Sequence, residues 1–228
     1  MSGWDSSKKI LMEELLFENK KVLDVGCGNG WFSIWADRNG CSVDAIDPSA
    51  AQIKDSKDKD KTNKINFMVA GAENINDLNN CYDLIFFFNS LHHIPDTMMD
   101  KSIKYSKNKM DRNGSIIIIE PIAKGNFHNF VKYIDDETSV RNKAYKTIKN
   151  CKKYNLEIVK ELMYDEIKRF ESGEECINFL SKVDEGRKSY IDNNTELLLN
   201  KFKDLSNYNN SKYEFTQPMR LNILKNIK

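Results

Sequence analysis

Two aspartates and a run of glycines are the residues of this sequence with the clearest chemical use. Gly26, Gly28 and Gly30 alternate after an apolar run, Asp24 stands just before them, and Asp47 closes the next apolar run. A carboxylate in the position of Asp47 can accept hydrogen bonds from both hydroxyls of a ribose. A carboxylate directly before the turn repels a pyrophosphate but suits a ligand with cationic groups. The pattern predicts a site for a ribonucleoside that lacks phosphates and carries positive charge.

Two phosphate-binding alternatives conflict with the same residues. The dinucleotide motif GxGxxG needs a third glycine where this chain has Trp31, and that glycine lets the helix pack close to the strand. A nicotinamide oxidoreductase also needs a catalytic Tyr-Lys pair or histidine facing the ring, for which the sequence offers no candidate. A Walker loop needs Gly-Lys-Ser/Thr after a longer gap, and no lysine follows this turn. The sequence therefore argues against both.

The elements that must position these residues alternate between strands and helices. Short, continuously apolar segments separated by helical patterns are typical of a parallel sheet covered on both faces. The predicted strands are "KKVLDV", "CSVDAID", "INFMVA", "YDLIFFF" and "SIIIIE". The sequence predicts an α/β, Rossmann-like, doubly wound sheet whose functional edge is formed by the carboxyl ends of the strands.

Three further candidates fall on that edge. His92 and His93 follow the fourth predicted strand, and Glu120 ends the fifth. A neutral imidazole can act as general base for a hydroxyl or amine. We predict these three as catalytic candidates, with a purely structural role in holding the loop as the alternative. With three histidines in the chain and no second carboxylate close in sequence, no metal site is predicted.

The pattern changes after Pro121. We predict a loop and helix, a sixth strand within residues 155–170, one or two amphipathic helices over 171–202, and a last strand near the C-terminus. Pro218 lies in that last strand and predicts an edge or a bulge. The expected organisation is a single domain over residues 1–228, with an N-terminal helix (1–19), a core (20–121), a cap with strand six (122–205) and a terminal strand (206–228).

Bulk composition narrows the class of protein. The 228 residues carry 35 basic and 34 acidic side chains, a net charge of +1. This balance argues against nucleic acid as the main partner, although a local basic patch remains compatible with it. The five cysteines form no CxxC pair, which indicates reduced thiols and a cytoplasmic protein. The N-terminus lacks the apolar core of a signal peptide, and the apolar runs are too short to span a bilayer.

Ordered motifs over residues 22–121 resemble the class I S-adenosylmethionine-dependent methyltransferases, in particular the small methyltransferases that share "VLDVGCGNG". The later segments "VDAIDPSAAQI", "NFMVAGAENI", "YDLIFFFNSLHHIPD" and "DRNGSIIIIEP" are similar to the family's following motifs in the same order. The resemblance implies S-adenosylmethionine as cofactor. It also implies a seven-stranded sheet whose last strand is antiparallel, with a helical cap inserted after strand five.

The resemblance also implies which residues contact the cofactor. Asp24 would lie near its amino-acid end, Asp47 would hold the ribose, and Glu73 would meet the adenine. Gly71 departs from the family, which often has aspartate there, so the adenine contact of Glu73 stays open. The complete predicted set is Asp24, Gly26, Cys27, Gly28, Asp47, Pro48, Ala72, Glu73, Asn89 and Leu91.

The expected reaction is methyl transfer by in-line displacement, which depends mainly on positioning and on exclusion of water. A single cap of moderate size and near-neutral charge favour a small-molecule acceptor. A protein or tRNA acceptor is the alternative, and a non-catalytic cofactor-binding subunit is the second alternative. The sequence does not identify the attacking atom or the oligomeric state.

Overall fold

The computed structural model describes residues 4–182 and 185–227. Its first half alternates strands and helices in the predicted order. The helices are α1 (Asp5–Glu14), α2 (Trp31–Arg38), α3 (Ala50–Lys59) and α4 (Asp96–Lys109), and the strands are β1 (Lys21–Val25), β2 (Ser42–Asp47), β3 (Asn66–Val69), β4 (Tyr82–Phe88) and β5 (Met110–Pro121). Two short 3-10 turns, Ala72–Asp77 and Leu91–His93, follow β3 and β4.

The second half holds the remaining elements. These are α5 (Gly125–Val131), α6 (Thr138–Lys149), the 3-10 turn Cys151–Tyr154, β6 (Leu156–Phe170), α7 (Gly173–Ser181), α8 (Glu185–Leu205), β7 (Asn207–Asn209) and β8 (Lys212–Asn226). The predicted sixth strand and last strand are confirmed, and of the one or two helices predicted over 171–202 the structure shows two, α7 and α8. The predicted N-terminal helical segment 1–19 contains α1, which ends at Glu14.

The strands form one sheet in the order β3-β2-β1-β4-β5-β8-β6, with β7 paired to β8 as a short hairpin. The pairs β1–β2, β2–β3, β1–β4 and β4–β5 are parallel. The predicted doubly wound, mostly parallel fold is therefore confirmed, with its last strand antiparallel. The chain reverses its direction of travel across the sheet between β1 and β4, which is where such folds place ligands.

Pro218 corrects one expectation about β8. The edge alternative is wrong, because β8 lies between β5 and β6 in the sheet order. Proline removes only a donor from a strand, and its carbonyl can still accept. The Pro218 carbonyl accepts from the Ile122 N–H at 2.8 Å and from the Gln217 amide at 2.8 Å.

The described chain forms two compact units that interleave along the sequence. The first, which we call the sheet unit, comprises Met12–Glu120, Val140–Leu162 and Arg220–Lys228. Its core is a cluster of fully buried aliphatic and aromatic side chains from β1, β4 and β5, packed with residues of α4 and α6. Burial of both faces of these strands explains their continuous apolar runs.

The second, which we call the aromatic unit, comprises Met1–Leu11, Pro121–Ser139 and Met163–Met219. Its core is built around phenylalanine rings, with aliphatic side chains and Cys176 between them. Phe215, on β8, has its ring centroid 5.3 Å from that of Phe202 and 5.5 Å from that of Phe130. No helix among the described residues has the length and apolar character needed to cross a membrane.

Candidate functional site

The glycine turn after β1 has left-handed backbone at each of its three glycines. Gly26, Gly28 and Gly30 have φ values of +73°, +52° and +73°, in the left-handed region that side chains disfavour. A Cβ on Gly26 would also lie 2.6 Å from the Cβ of Ser90, so the backbone approaches the loop after β4 very closely. The turn is tied to β2 because the N–H groups of Gly26 and Cys27 donate to the Ile46 carbonyl at 2.8 and 3.0 Å.

Asp47 joins this turn to the end of β2. Its Oδ2 accepts from the Gly28 N–H at 2.9 Å and its Oδ1 accepts from the Ser49 N–H at 2.9 Å. Ser49 in turn caps α3, which begins after the exposed Pro48. A carboxylate has about four acceptor positions, so Asp47 keeps capacity for further donors. The residue is 8% exposed, and two backbone N–H groups hold its orientation.

Asp24 is buried beside the same turn. Only 1% of the residue is exposed, and its Oδ2 accepts from the Ser33 hydroxyl at 2.6 Å. Burial raises the pKa of Asp24 to about 7, with a smaller contribution from the charge of Asp47, while the Ser33 hydrogen bond opposes the rise. The carboxyl group is therefore partly protonated at neutral pH. A cationic group placed nearby would favour its ionised form.

Cys27 contributes backbone and packing to the turn. The residue is 6% exposed, and burial raises the pKa of its thiol far above its usual range. A thiol that stays protonated is a poor nucleophile. Its position is therefore consistent with the expected packing role and not with covalent catalysis.

The turn after β3 carries the residues predicted to meet an adenine. Ala72 is buried and Glu73 is exposed. The Glu73 carboxylate folds back over Gly71 and fills the space into which a side chain at position 71 would project. An acidic group thus occupies this location even though the usual aspartate is absent. Asn74 fixes the turn by accepting from the Gly71 N–H at 3.1 Å.

The loop after β4 begins with a sharp change of direction at Asn89, whose φ is +54°. Its N–H donates to the Ile119 carbonyl at 2.7 Å, which anchors it to β5. Ser90 donates its hydroxyl to the Val25 carbonyl at 2.6 Å, which anchors the loop to β1. Leu91 is fully buried within the hydrophobic core, so only its backbone lies along the loop.

Glu120 fastens this loop from the end of β5. Its Oε1 accepts from the N–H groups of Ser90 at 3.1 Å and Leu91 at 2.9 Å, and its Oε2 pairs with Nδ1 of His92. Glu120 and His92 are 5% and 3% exposed. The exposed His93 packs against His92 with ring centroids 4.0 Å apart. Both oxygens of Glu120 are thus committed to protein donors, which suits a positioning residue.

Three serines that the sequence did not single out complete the site. Ser33 holds Asp24 and Ser90 holds the β1 backbone, as described above. Ser56, on α3, donates to the Gly28 carbonyl at 2.8 Å. In the sequence, Ser33 and Ser56 are marked only by a small hydroxyl on a helix face that otherwise packs against the sheet, and Ser90 is a loop residue. The structure thus brings Asp24, Asp47 and Glu120 to the carboxyl edge of β1, β2 and β5. The three serines lie beside them.

Part of this chain is similar in sequence to known methyltransferases. A family model described as a methyltransferase domain matches residues 22–114. The chain is 35% identical over 112 residues to a ubiquinone biosynthesis O-methyltransferase of Pelagibacter ubique, covering 48% of this chain and 45% of that protein. It is 29% identical over 145 residues to a tRNA U34 carboxymethyltransferase of Nautilia profundicola, covering 62% and 44%. The chain thus spans less than half the length of these two relatives.

Solved structures share the fold over nearly the whole chain. A candidate methyltransferase from Bacillus halodurans C-125 superimposes with a TM-score of 0.65 at 18% identity, covering 96% of this chain and 98% of that one. Magnesium protoporphyrin IX methyltransferase from Synechocystis PCC 6803 has a TM-score of 0.53 at 16% identity, covering 96% and 77%. A methyltransferase domain thus matches residues 22–114, and the solved structures share the fold of nearly the whole chain.

Proposed function

We propose that the protein binds S-adenosylmethionine at the glycine turn and transfers its methyl group to a small-molecule acceptor. The observation that carries the proposal is the Asp47 carboxylate, which holds the Gly28 N–H and keeps acceptor capacity beside the buried Asp24. The match of residues 22–114 to a methyltransferase domain supports the choice of cofactor, and the geometry supports where it binds.

The donor and acceptor groups of the site fit this cofactor. Asp47 can accept from two ribose hydroxyls, and Asp24 provides a carboxyl group whose ionisation a cationic ligand favours. No lysine or arginine stands at the turn to neutralise a phosphate. We assign the remaining contacts as the family resemblance implies, with Gly26, Cys27 and Gly28 as backbone beside the ligand, Ala72 and Glu73 near the adenine, and Pro48, Asn89 and Leu91 at the rim.

When bound, S-adenosylmethionine supplies a methyl group on a sulfonium, which an acceptor can displace in line. The contribution of the chain is to fix geometry, since well-oriented reactants can gain several orders of magnitude in rate. Glu120 and His92 hold the loop that begins at Asn89. His93, which is exposed, is the candidate to take a proton from a weakly acidic acceptor, and an acidic acceptor would need no base.

The acceptor is proposed from the names of the relatives and the composition of the chain. A ubiquinone biosynthesis O-methyltransferase points to a small molecule. A tRNA U34 carboxymethyltransferase and a ribosomal protein L11 methyltransferase keep tRNA and protein as the alternative. A cofactor-binding subunit without turnover is the second alternative. We further propose that residues 1–228 act as one methyltransferase domain, in the cytoplasm, where its five free cysteines would stay reduced.

Calorimetric titration of the protein with S-adenosylmethionine and with NAD tests the cofactor. We expect binding of the first and none of the second. Asp47→Ala should weaken binding about 100-fold or more, because it removes charge-assisted hydrogen bonds to two hydroxyls. Asp55→Ala, an exposed carboxylate on α3, is the matched control and should bind as the unaltered protein does. Preferential binding of NAD, or equal binding by Asp47→Ala, would refute the proposal.

Turnover is tested separately by measuring S-adenosylhomocysteine release with a panel of metabolites, tRNA and ribosomal proteins. Release with a metabolite supports the proposed acceptor class. Release with tRNA or protein alone supports the alternative. Tight cofactor binding without release on any panel member supports the non-catalytic subunit.

A further inference from the structure

The whole-chain charge of +1 conceals one strongly basic surface in the sheet unit. Residues 138–156 contain six basic side chains and no acidic one, and residues 101–110 contain four lysines and no acidic residue. The first stretch covers α6 and the turn after it, and the second covers most of α4. Lysines recur every three residues at 143, 146 and 149 on α6 and at 101, 104 and 107 on α4.

The two helices form one continuous surface. Asp96, at the start of α4, pairs with Lys143 of α6. Asp100, one turn later, pairs with Lys153 at 2.5 Å and also accepts from the Tyr154 hydroxyl. Beneath them, side chains of both helices pack into the same hydrophobic core. The lysines of α4 and α6 therefore belong to a single face, which we call the lysine face.

Most of the positive charge on the lysine face is not neutralised by carboxylates of the described residues. Asp96 and Asp100 form ion pairs with two lysines, Lys143 and Lys153. Six others make no ion pair with any carboxylate of the described residues. They are Lys101, Lys104, Lys107, Lys146, Lys149 and Lys152. Helix α6 alone extends the face over about 18 Å, since each helical residue adds about 1.5 Å.

The residue types on the lysine face indicate what it can bind. Protein–protein interfaces are depleted in lysine and depend on buried apolar or aromatic anchors. No large hydrophobic side chain is exposed within residues 101–109 or 138–153, all of which the structure describes. A membrane-bound helix would likewise need an apolar face to insert. A row of flexible, strongly hydrated ammonium groups without anchors suits successive phosphates.

We propose that the lysine face binds the phosphodiester backbone of a nucleic acid. The face begins at Asp96, only three residues after His93, and so starts at the edge of the sheet that carries the candidate site. Binding there needs no particular acceptor for the methyl group, and it is independent of the cofactor. The near-neutral charge of the chain is no obstacle, because the positive charge is concentrated on one surface.

Fluorescence anisotropy with a labelled RNA hairpin and a DNA duplex, each of about 20 units, tests this proposal across a salt series. The double variant Lys104→Glu/Lys146→Glu should bind at least about tenfold more weakly at low salt and reduce the slope of log Kd against log salt by about 2. The control Lys54→Glu/Lys57→Glu makes the same change in net charge on exposed positions of α3. It should weaken binding no more than about twofold.

A preference for RNA or for DNA identifies which nucleic acid the lysine face binds. Either preference supports the proposal. Equal weakening by both double variants would overturn the proposal, because it would show a response to net charge alone. So would unchanged binding in Lys104→Glu/Lys146→Glu. Tighter binding of the unaltered protein to polyglutamate or to anionic lipid vesicles would also overturn it. Because anisotropy measures binding without turnover, these outcomes are distinguishable from a failure of methyl transfer.

Discussion

The sheet unit and the aromatic unit both bury charged side chains, but they satisfy them in different ways. In the sheet unit, Asp47 and Glu120 accept mainly from backbone N–H groups at the ends of strands. In the aromatic unit, Arg187 pairs with Asp135 and Glu137, and Lys168 lies 3.4 Å above the ring centroid of Trp4. Backbone N–H groups therefore hold Asp47 and most of Glu120, whereas side chains hold Arg187 and Lys168.

The difference separates groups that are available for a ligand from groups that are occupied by one another. Asp47, which two backbone N–H groups hold, keeps acceptor positions for a ligand. A carboxylate paired with a buried guanidinium has its charge compensated internally, and such pairs are weak evidence of function. Asp47 and Glu137 are both buried, and the type of partner is what distinguishes them.

The largest effect should come from Glu120, whose carboxylate accepts from two backbone N–H groups and also pairs with His92. Glu120→Ala leaves the N–H groups of Ser90 and Leu91 and the His92 ring without their acceptor, so we expect a loss of about 3–5 kcal/mol in the free energy of unfolding. Glu120→Gln keeps one acceptor oxygen for the two N–H groups and should recover part of the loss. Urea unfolding measures both.

The exposed carboxylate variant Asp58→Ala serves as the control for Glu120 and should change stability by less than about 0.5 kcal/mol. A positioning role also predicts that Glu120→Gln lowers kcat for methyl transfer more than it raises the KM for S-adenosylmethionine. An Ala variant as stable as the control would show that the backbone donors do not depend on this carboxylate.

Asp24 should give the next largest effect on the free energy of unfolding, and this effect should depend on pH. Its pKa is raised to about 7. Its favourable contribution is therefore complete below the unfolded pKa near 4 and is lost as the pH rises through about 7. Asp24→Asn mimics the protonated form and removes this dependence. Relative to the unaltered protein, the variant should gain on the order of 4 kcal/mol between about pH 4 and pH 8.5.

Urea unfolding at both pH values measures this gain, and parallel stability curves would contradict it. Ser33→Ala offers a second check, because the Ser33 hydrogen bond lowers the pKa of Asp24. Its loss should move the pH at which stability falls to a higher value. Asp24→Asn should also bind S-adenosylmethionine more weakly, which isothermal titration would detect.

The core of the aromatic unit should respond to substitution without regard to pH. Phe215 is fully buried among four other phenylalanine rings. Phe215→Leu should cost about 1–2 kcal/mol, because it removes ring contacts while keeping most of the volume. The cost should be equal at about pH 4 and pH 8.5. Phe179→Leu, at a position that is 37% exposed, should cost less than half as much. A pH-dependent loss would place a titrating group in this core.

The smallest effect should come from Trp4. Burial lowers the pKa of Lys168 to about 8, so its ammonium is charged at pH 7 and neutral at pH 10. Trp4→Leu removes the attraction between ring and cation and should cost about 1 kcal/mol more at pH 7 than at pH 10. Urea unfolding at the two pH values measures the difference. In a Lys168→Met background the difference should vanish, and its persistence would assign it to another group.

The sequence predicts the sheet unit well because its signals are local. Each strand is a continuous apolar run, Asp24 and Asp47 end two of them, and the glycines mark a turn that needs left-handed backbone. Each of these features can be recognised from a short segment of the sequence by itself. The alternation of strands and helices then predicts the edge at which the carboxylates meet.

Other features depend on contacts between distant residues. Ser33 and Ser90 look like ordinary helix and loop serines until the fold brings them to Asp24 and Val25. The five-ring cluster around Phe215 is assembled from segments spread over almost 90 residues. Pro218 shows the same limitation, because its place in the sheet follows from which strands flank β8 and not from its own geometry.

β8 lies between β5 and β6 although it is the last strand along the chain. During synthesis, β5 and β6 each present an unpaired edge until β8 has been made. Exposed strand edges recruit other chains, and late long-range pairing leaves them open for longer. We therefore expect the nascent protein to depend on chaperones at this stage, and truncations that remove part of β8 to accumulate as aggregates and not as a smaller soluble domain.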